Sequence, residues 1–289
     1  MIKKTNYHTH TTFCDGKDSP EIMVQTAIKK GFSALGFSGH SIGFEKQNLE
    51  TNWHIPFDKH FEYVAEIKRL ANLYRKEIEI FCGFEADYIK DLWAPTKENY
   101  KKINPDYLIG SVHYVFKNGE HYTVDGSIEE VKKGLEHFYK NDGKEAVCEY
   151  FALEREMLEN CSFDIIGHPD LIRKRNNVLC FFDESENWYK EEIKKTAYAI
   201  SAAGCFVEIN TGGIARGVID DVYPSEDFLK ELFAYDVPIV INSDAHSSDD
   251  LDFAFDRAKK IALKCGYTKA KMLRYTNTNK IEWVDYSLS

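Results

Sequence analysis

The chain has 289 residues, of which 43% are hydrophobic and 29% charged, with a formal net charge of −10. That is the composition of a folded globular protein and excludes a disordered or fibrous one. No stretch is long and apolar enough to span a bilayer, and no Lys/Arg block offers a track for nucleic acid, so membrane and nucleic-acid partners are both excluded and any phosphate ligand needs a local source of positive charge.

The opening residues, Met1-Ile2-Lys3-Lys4 running into Asn6-Tyr7-His8, lack the apolar segment of a secretory signal. Seven cysteines are scattered without a Cys-x-x-Cys pair, which points to reduced thiols and a cytoplasmic location. Along the chain, short apolar or β-branched runs alternate with longer amphipathic ones, the pattern of βα units around a parallel sheet. Strands are predicted near residues 5–10, 32–38, 78–84, 106–112, 163–167, 205–210 and 238–243. Helices are predicted near 20–30, 58–76, 95–102, 127–160 (as two), 187–203, 225–235 and 250–265. Ser19-Pro20 supplies an N-cap followed by proline at the first helical position, and Gly31 ends that helix. Ser225 and Asp249 are further cap candidates, and Gly266 is a stop. Residues 41–57 show no clean period and read as a long loop after a strand. Seven strands without a Gly-x-Gly-x-x-Gly turn favour a distorted (β/α)7 TIM-like barrel, one domain over 1–289, rather than an open dinucleotide fold.

The metal-capable residues fall on this map in order. His8 and His10 close the first strand in His-x-His spacing, which turns both side chains to one face. His40 follows the second strand, Glu85 the third, His113 the fourth and His168 the fifth, while Asp244 and His246 follow the seventh. A single histidine at a strand end is usually a hydrogen-bonded structural residue. Six of the ten histidines at the carboxyl rim of one barrel, with carboxylates among them, make the imidazole–carboxylate ligand set of zinc, iron or manganese. His60 and His137 fall on helices as surface or packing residues, and His54 and His121 fall in loops as solvated ones.

The ordered set His8-Thr-His10, Asp15, Gly39-His40, Gly83-Phe-Glu85, Ser111-Val-His113, Gly167-His168-Pro-Asp170 and Asn242-Ser-Asp244-Ala-His246 resembles the PHP (polymerase and histidinol phosphatase) superfamily from Tyr7 to about Ala262. The stretches 111–125 and 167–173 are most similar to its histidinol-phosphate phosphatases. This resemblance implies a distorted seven-stranded barrel carrying two to three divalent transition metal ions (Zn, Fe or Mn). The first would take His8, His10, Glu85 and Asp244; the second Glu85, His113 and His168, with Glu85 bridging; the third Asp15, His40 and His246. Many members carry histidine where Asp15 stands, and aspartate is also a competent ligand.

Three divalent ions bring a charge of about +6 against three ligand carboxylates, enough to attract a phosphate dianion to an acidic protein. Two close metals can hold a bridging hydroxide that attacks phosphorus in line, with no protein nucleophile, so Cys14 is expected to pack rather than react. Arginine's planar fork suits phosphate oxygens, and Arg173 and Arg216 both follow strands on the same rim. Asn210 and Asn242 are expected to orient ligands. Asp170 could either orient His168 or protonate the leaving alkoxide. The expected substrate is a small phosphorylated metabolite, L-histidinol phosphate, whose amine and imidazole could meet Asp125, Glu45 or Glu50. Two other readings stand beside it: a PHP phosphoesterase for another small ester or phosphotyrosine, and a metal-stabilised module without activity. Amidohydrolase chemistry is disfavoured because strand four delivers His113 where that barrel usually has lysine.

Overall fold

The computed structural model describes residues 3–43, 51–117, 119–278 and 280–289. In chain order the elements begin with β1 (Thr5–Asn6), α1 (Pro20–Lys29), β2 (Ala34–Ser41), α2 (His60–Leu73), β3 (Glu79–Asp87) and β4 (Tyr107–Ser111). A hairpin, β5 (Tyr114–Lys117) and β6 (Glu120–Thr123), precedes α3 (Ile128–Tyr139) and α4 (Gly143–Asn160). Then come β7 (Ile165–Ile166), α5 (Asn176–Leu179), α6 (Asn187–Ala203), β8 (Phe206–Asn210), α7 (Gly212–Ala215) and α8 (Glu226–Ala234). The chain finishes with β9 (Ile239–Asn242), α9 (Phe255–Cys265) and a second hairpin, β10 (Lys269–Tyr275) and β11 (Ile281–Ser287).

Seven parallel strands form one sheet in the order β1-β2-β3-β4-β7-β8-β9. It curls into a nearly closed barrel because the chain just past β1 meets the chain just past β9. His10 N–H donates to the Ala245 carbonyl at 2.9 Å, and Ala245 N–H donates to the His8 carbonyl at 3.2 Å. Register sets which side chains share a level. His40 lies opposite Glu85 in the β2–β3 ladder, and Asn210 opposite Asn242 in β8–β9.

The barrel floor is aromatic. Tyr7, Phe81 and Tyr107 pack with Ile109, Ile165, Val240 and the β10 residues Met272 and Leu273. Full burial of such a side chain contributes about 1.5–3 kcal/mol. Tyr107 lies flat across the strands, its hydroxyl donating to the carbonyls of Tyr7 (2.6 Å) and Phe37 (2.9 Å). Glycine at 36 is what admits it, since a Cβ there would stand 2.5 Å from that hydroxyl. Outside, α1 and α2 cover β2 and β3 with Met23, Val24, Ile67 and Leu70, while α4, α6 and α8 cover β7–β9 with Phe151, Ile193 and Leu229. The floor is closed, and the large open space lies at the carboxyl rim.

The caps at Ser19 and Ser225 form as expected, each hydroxyl accepting a first-turn N–H, and Gly31 and Gly266 adopt the left-handed conformation that stops a helix. Asp249 does not cap α9; it belongs to a short 3-10 turn, Ser248–Asp250, and the helix starts after Ala254. Residues 95–102 do not form a helix. Pro95 and Pro105 bracket them, and isolated turn bonds such as Lys101 N–H to Glu98 carbonyl (3.2 Å) never propagate. Both hairpins were absent from the sequence reading.

Candidate metal centre

Glu85, on the rim end of β3, is the hub. Its Oε2 lies 3.0 Å from His8 Nε2, 3.5 Å from His10 Nε2 and 2.8 Å from His40 Nδ1. Its Oε1 lies 2.9 Å from His168 Nε2 and 3.4 Å from His113 Nε2, and accepts from the Ser111 hydroxyl at 2.8 Å. The two oxygens of one carboxylate therefore face two separate groups of imidazoles, the arrangement of a bridging ligand. Asp244 Oδ1 completes the first group, 3.2 Å from His10 Nε2 and 3.7 Å from His8 Nε2. A further group stands above it: Asp15 lies 3.2 Å from His246, 3.7 Å from His40 and 3.8 Å from His10, whose ring is stacked between those of His40 and His246.

These residues fit metal ions on two counts. His8 Nε2, His10 Nε2 and Glu85 Oε2 are buried and have no hydrogen-bond partner, a costly condition that a cation at their meeting point removes. Their spacings of 3.0 and 3.5 Å bracket the edge of about 3.3 Å expected between ligands of a tetrahedral ion at about 2.0–2.1 Å. Among the described residues, every histidine and carboxylate expected as a ligand enters one of four such clusters, which share His8, His10, His40 and Glu85. Thus the side chains that sequence placed on six separate strand ends converge on one candidate metal centre.

Two buried carboxylates escaped the sequence reading. Glu208, on β8, accepts a hydrogen bond from His8 Nδ1–H at 2.9 Å and another from the His168 main-chain N–H at 2.9 Å. Asn210 and Asn242 both donate to Glu208 (2.8 and 2.9 Å), and Asn210 also donates to Asp244 Oδ2 at 3.4 Å, so Asn210 touches an expected ligand directly and Asn242 acts through Glu208. Asp87 stands two residues after Glu85 and accepts from His113 Nδ1 at 2.5 Å and His54 Nε2 at 2.5 Å. Such partners fix ring orientation and raise ligand basicity. His54 is therefore buried and bonded, not solvated, because Asp87 would otherwise keep one of its two buried oxygens unpaired. His60 packs beneath the rim against the Ser41 hydroxyl (2.8 Å), and His137 is an exposed partner of Glu120.

Backbone strain marks the same places. His168 (φ 24°) and Asp244 (φ 50°) occupy left-handed conformations, which in residues other than glycine cost about 1–3 kcal/mol and persist only where neighbours over-determine them. Here Glu208 holds His168 N–H, and Arg216 Nη1 donates to the Asp244 carbonyl at 2.9 Å.

Charge is tightly coupled across the centre. Burial opposes ionisation of Glu85, yet His8, His40 and His113 around it hold its carboxyl well below the usual range. Asp244 is held low in the same way, against burial, by Arg216 and His8. Burial alone would strip His113 of its proton, but Asp87 and Glu85 push it up to about 10. His10 goes the other way: burial and the adjoining His40 and His246 hold it at about 3, neutral and ready to ligate.

The residues expected around the substrate separate on inspection. Arg216 lines the mouth, with Nη2 on Asp244 Oδ2 at 2.8 Å and Nη1 3.1 Å from His246 Nδ1. Gly212 makes room for it, since a Cβ there would stand 2.7 Å from Nη2. Arg173 is turned inward, its fork taken by Asp170, Glu184, Asp221 and the Val222 carbonyl, so it has no free face for a phosphate. Asp170 is withdrawn likewise: its Oδ2 accepts from Ser225 N–H (2.8 Å) and Arg173, it does not line the mouth, and no hydrogen bond joins it to His168, whose Nε2 meets Glu85 and whose Nδ1 has no partner. Neither role expected of Asp170 has geometric support. Asp125 does line the mouth, paired with Lys174 at 2.8 Å, a cation the sequence reading passed over. Glu45 and Glu50 lie outside the described residues. Burial, with Asp15 beside it, pushes the Cys14 thiol up to about 12, the behaviour of a packing residue. The open space over the metal centre measures about 1260 Å³ and runs between Trp53 and Tyr114 on one side and Arg216 on the other, out to Phe138 of α3. No helix among the described residues is long and apolar enough to cross a membrane.

Known proteins bear on this geometry. A Schizosaccharomyces pombe protein named "Probable histidinol-phosphatase" is 28% identical over 92% of this chain and 88% of its own length. The histidinol-phosphatase of Bacillus subtilis is 23% identical over 88% and 98%, respectively. The solved structure of histidinol phosphate phosphatase from Lactococcus lactis, in complex with zinc, L-histidinol and phosphate, superposes with a TM-score of 0.70 at 20% identity, covering 98% of this chain and all of that one. Residues 6–212, which include the first two ligand groups' histidines and their Glu85 hub, match the PHP domain, and the chain belongs to the PHP family.

Proposed function

We propose that this chain is a metal-dependent phosphomonoesterase that hydrolyses L-histidinol phosphate to L-histidinol and phosphate. The observation that carries the reading is Glu85 facing two imidazole groups with its two oxygens, in a barrel whose full-length relatives are named histidinol-phosphatases. Two to three divalent ions (Zn, Fe or Mn) would be held by His8, His10, Glu85 and Asp244, by Glu85, His113 and His168, and by Asp15, His40 and His246. When bound, such ions supply water activation and positive charge for the phosphoryl group.

The chain's own residues supply the rest. Arg216 is fixed by Asp244 at the lip of the centre, where part of its fork can turn to a phosphate oxygen. Asp125 stands across the mouth, its carboxyl held below the ordinary range, against burial, by Lys174 and His113. It is therefore an anion at neutral pH, suited to an ammonium group of the leaving alcohol. Glu208 and Asp87 keep the His8 and His113 rings oriented with the Nε2 lone pairs inward.

The deciding experiment compares kcat/KM after metal reconstitution for histidinol phosphate, p-nitrophenyl phosphate, a sugar phosphate, a nucleoside monophosphate and phosphotyrosine. A pocket that reads polar groups by paired hydrogen bonds discriminates by about 10⁴ or more against analogues lacking them. Equal turnover, or preference for another ester, overturns the substrate and leaves a PHP phosphatase of different specificity.

A further inference from the structure

Three consecutive residues, Trp53, His54 and Ile55, come down on the proposed metal centre, each by a different contact. Trp53 sets its ring edge-on to two expected ligands, with centroids 4.6 Å from His40 and 5.3 Å from His113, and stacks on Tyr114 at 5.5 Å. His54 reaches past them to Asp87. Ile55 donates its N–H to the His40 carbonyl at 2.9 Å and fills the notch left by Gly39, where a Cβ would stand 2.7 Å from Cδ1 of Ile55.

Of the three, His54 makes the polar connection. The Thr51 hydroxyl lies 2.6 Å from His54 Nδ1; donating there, it leaves Nε2–H to donate to Asp87 Oδ2 at 2.5 Å. Asp87 is fully buried, and its other oxygen accepts from His113 Nδ1 at 2.5 Å. A continuous line of hydrogen bonds therefore runs from Thr51 through His54 and Asp87 to His113. Removing the imidazole of His54 leaves Asp87 with one buried oxygen unpaired, a condition that pulls the carboxylate out of position.

We propose that His54 is a positioning residue that latches the strap 51–55 to the metal centre, so that metal occupancy at the position formed with His113 and closure of the strap favour each other. The inference rests on the reading of His113 as a ligand. Binding and closure linked through one network must be reciprocal: whatever the strap adds to metal affinity, the metal adds to strap order. Partners that orient a ligating histidine are worth about 10–100-fold in metal affinity. His54 acts through Asp87, so about tenfold is expected.

The test uses the full chain, titrated with Zn or Mn against a competing chelator, with hydrogen exchange of residues 51–55 followed in metal-loaded and metal-stripped protein. In His54→Ala one metal is expected to bind about tenfold more weakly while the others are unaffected, and exchange in the strap loses its dependence on metal. His54→Gln, whose amide N–H can still reach Asp87, is expected to recover most of the affinity, a rescue that a space-filling role alone would not produce. Thr51→Ala frees the His54 tautomer and carries the same test should His54→Ala fail to fold. Wild-type metal affinity in the alanine variants, or strap exchange in the wild type that ignores metal, overturns the latch alone. A wild-type chain that takes up no metal overturns the latch and the phosphatase reading together.

Discussion

Arg216 and His168 both stand at the rim of one centre, yet their surroundings imply different failures. His168 Nε2 faces Glu85, the proposed bridging carboxylate, so on the proposed reading His168→Ala removes a ligand on which water activation and phosphoryl polarisation both depend. Its kcat is expected to collapse. Arg216 is held by Asp244 and does not enter the ligand clusters, so Arg216→Ala is expected chiefly to raise KM, with a smaller loss in kcat if the contact tightens in the transition state. Steady-state kinetics on the metal-loaded variants separates the two, and wild-type behaviour of Arg216→Ala removes it from the phosphate site. Glu208 and Asp87 show what was recoverable at this scale. Each is an acidic residue in a largely apolar strand, Phe206-Val-Glu-Ile-Asn and Ile80-Phe-Cys-Gly-Phe-Glu-Ala-Asp, the second of which also carries Glu85. Alternation puts Asp87 on the face of Glu85, a signal in plain view. Arg173 could not be excluded in the same way, because three carboxylates distant from it in sequence or turned by a 3-10 helix consume its donors.

Among the elements, α4 carries a buried acid that enters none of the four histidine–carboxylate clusters. Glu154 accepts from the Tyr150 hydroxyl at 2.8 Å through Oε1, while its Oε2 has no partner. Burial raises it well above the ordinary carboxyl value, so the folded protein keeps it protonated. A folded-state value raised above the unfolded one gives stability that is complete below about pH 4.5 and is lost as pH climbs toward the folded value. Glu154→Gln keeps an acceptor for Tyr150 without that proton. Relative to wild type it is expected to gain stability above about pH 4.5 by up to about 1.4 kcal/mol per pH unit. Urea unfolding at pH 5 and pH 8 checks this, and a difference independent of pH contradicts it. The two hairpins were the elements sequence reading missed. Asn118-Gly119 between Tyr114-Val-Phe-Lys and Glu120-His-Tyr-Thr is a hairpin signal, and the alternation of Ile281-Glu-Trp-Val-Asp-Tyr is a strand signal. Both lie outside the βα rhythm that organised the reading. The second hairpin closes the barrel floor through Leu273, whose N–H donates to the Tyr7 hydroxyl at 2.8 Å.

For the molecule as a whole, metal loading is expected to exceed one transition metal per chain and to release protons. Without metal, His113 is pushed up to about 10 by Asp87 and Glu85 against burial, and His8 is raised well above its ordinary value. Both must lose a proton to ligate, so affinity should rise with pH across the neutral range. Elemental analysis with a pH-stat measurement of proton release during reconstitution tests both statements. A stoichiometry of one or below after incubation with Mn, Zn or Fe removes the multinuclear centre. By itself the sequence determined the parallel barrel, its carboxyl rim and the histidines and carboxylates that gather there, because βα periodicity and strand-end position are local properties that survive in one dimension. Only the tertiary structure decided which groups are paired. Arg173 is consumed inside, Asp170 is turned away, and His54 is drawn under the rim by Asp87, because a buried charge takes whichever partner the fold brings to it, and that partner can come from anywhere along the chain.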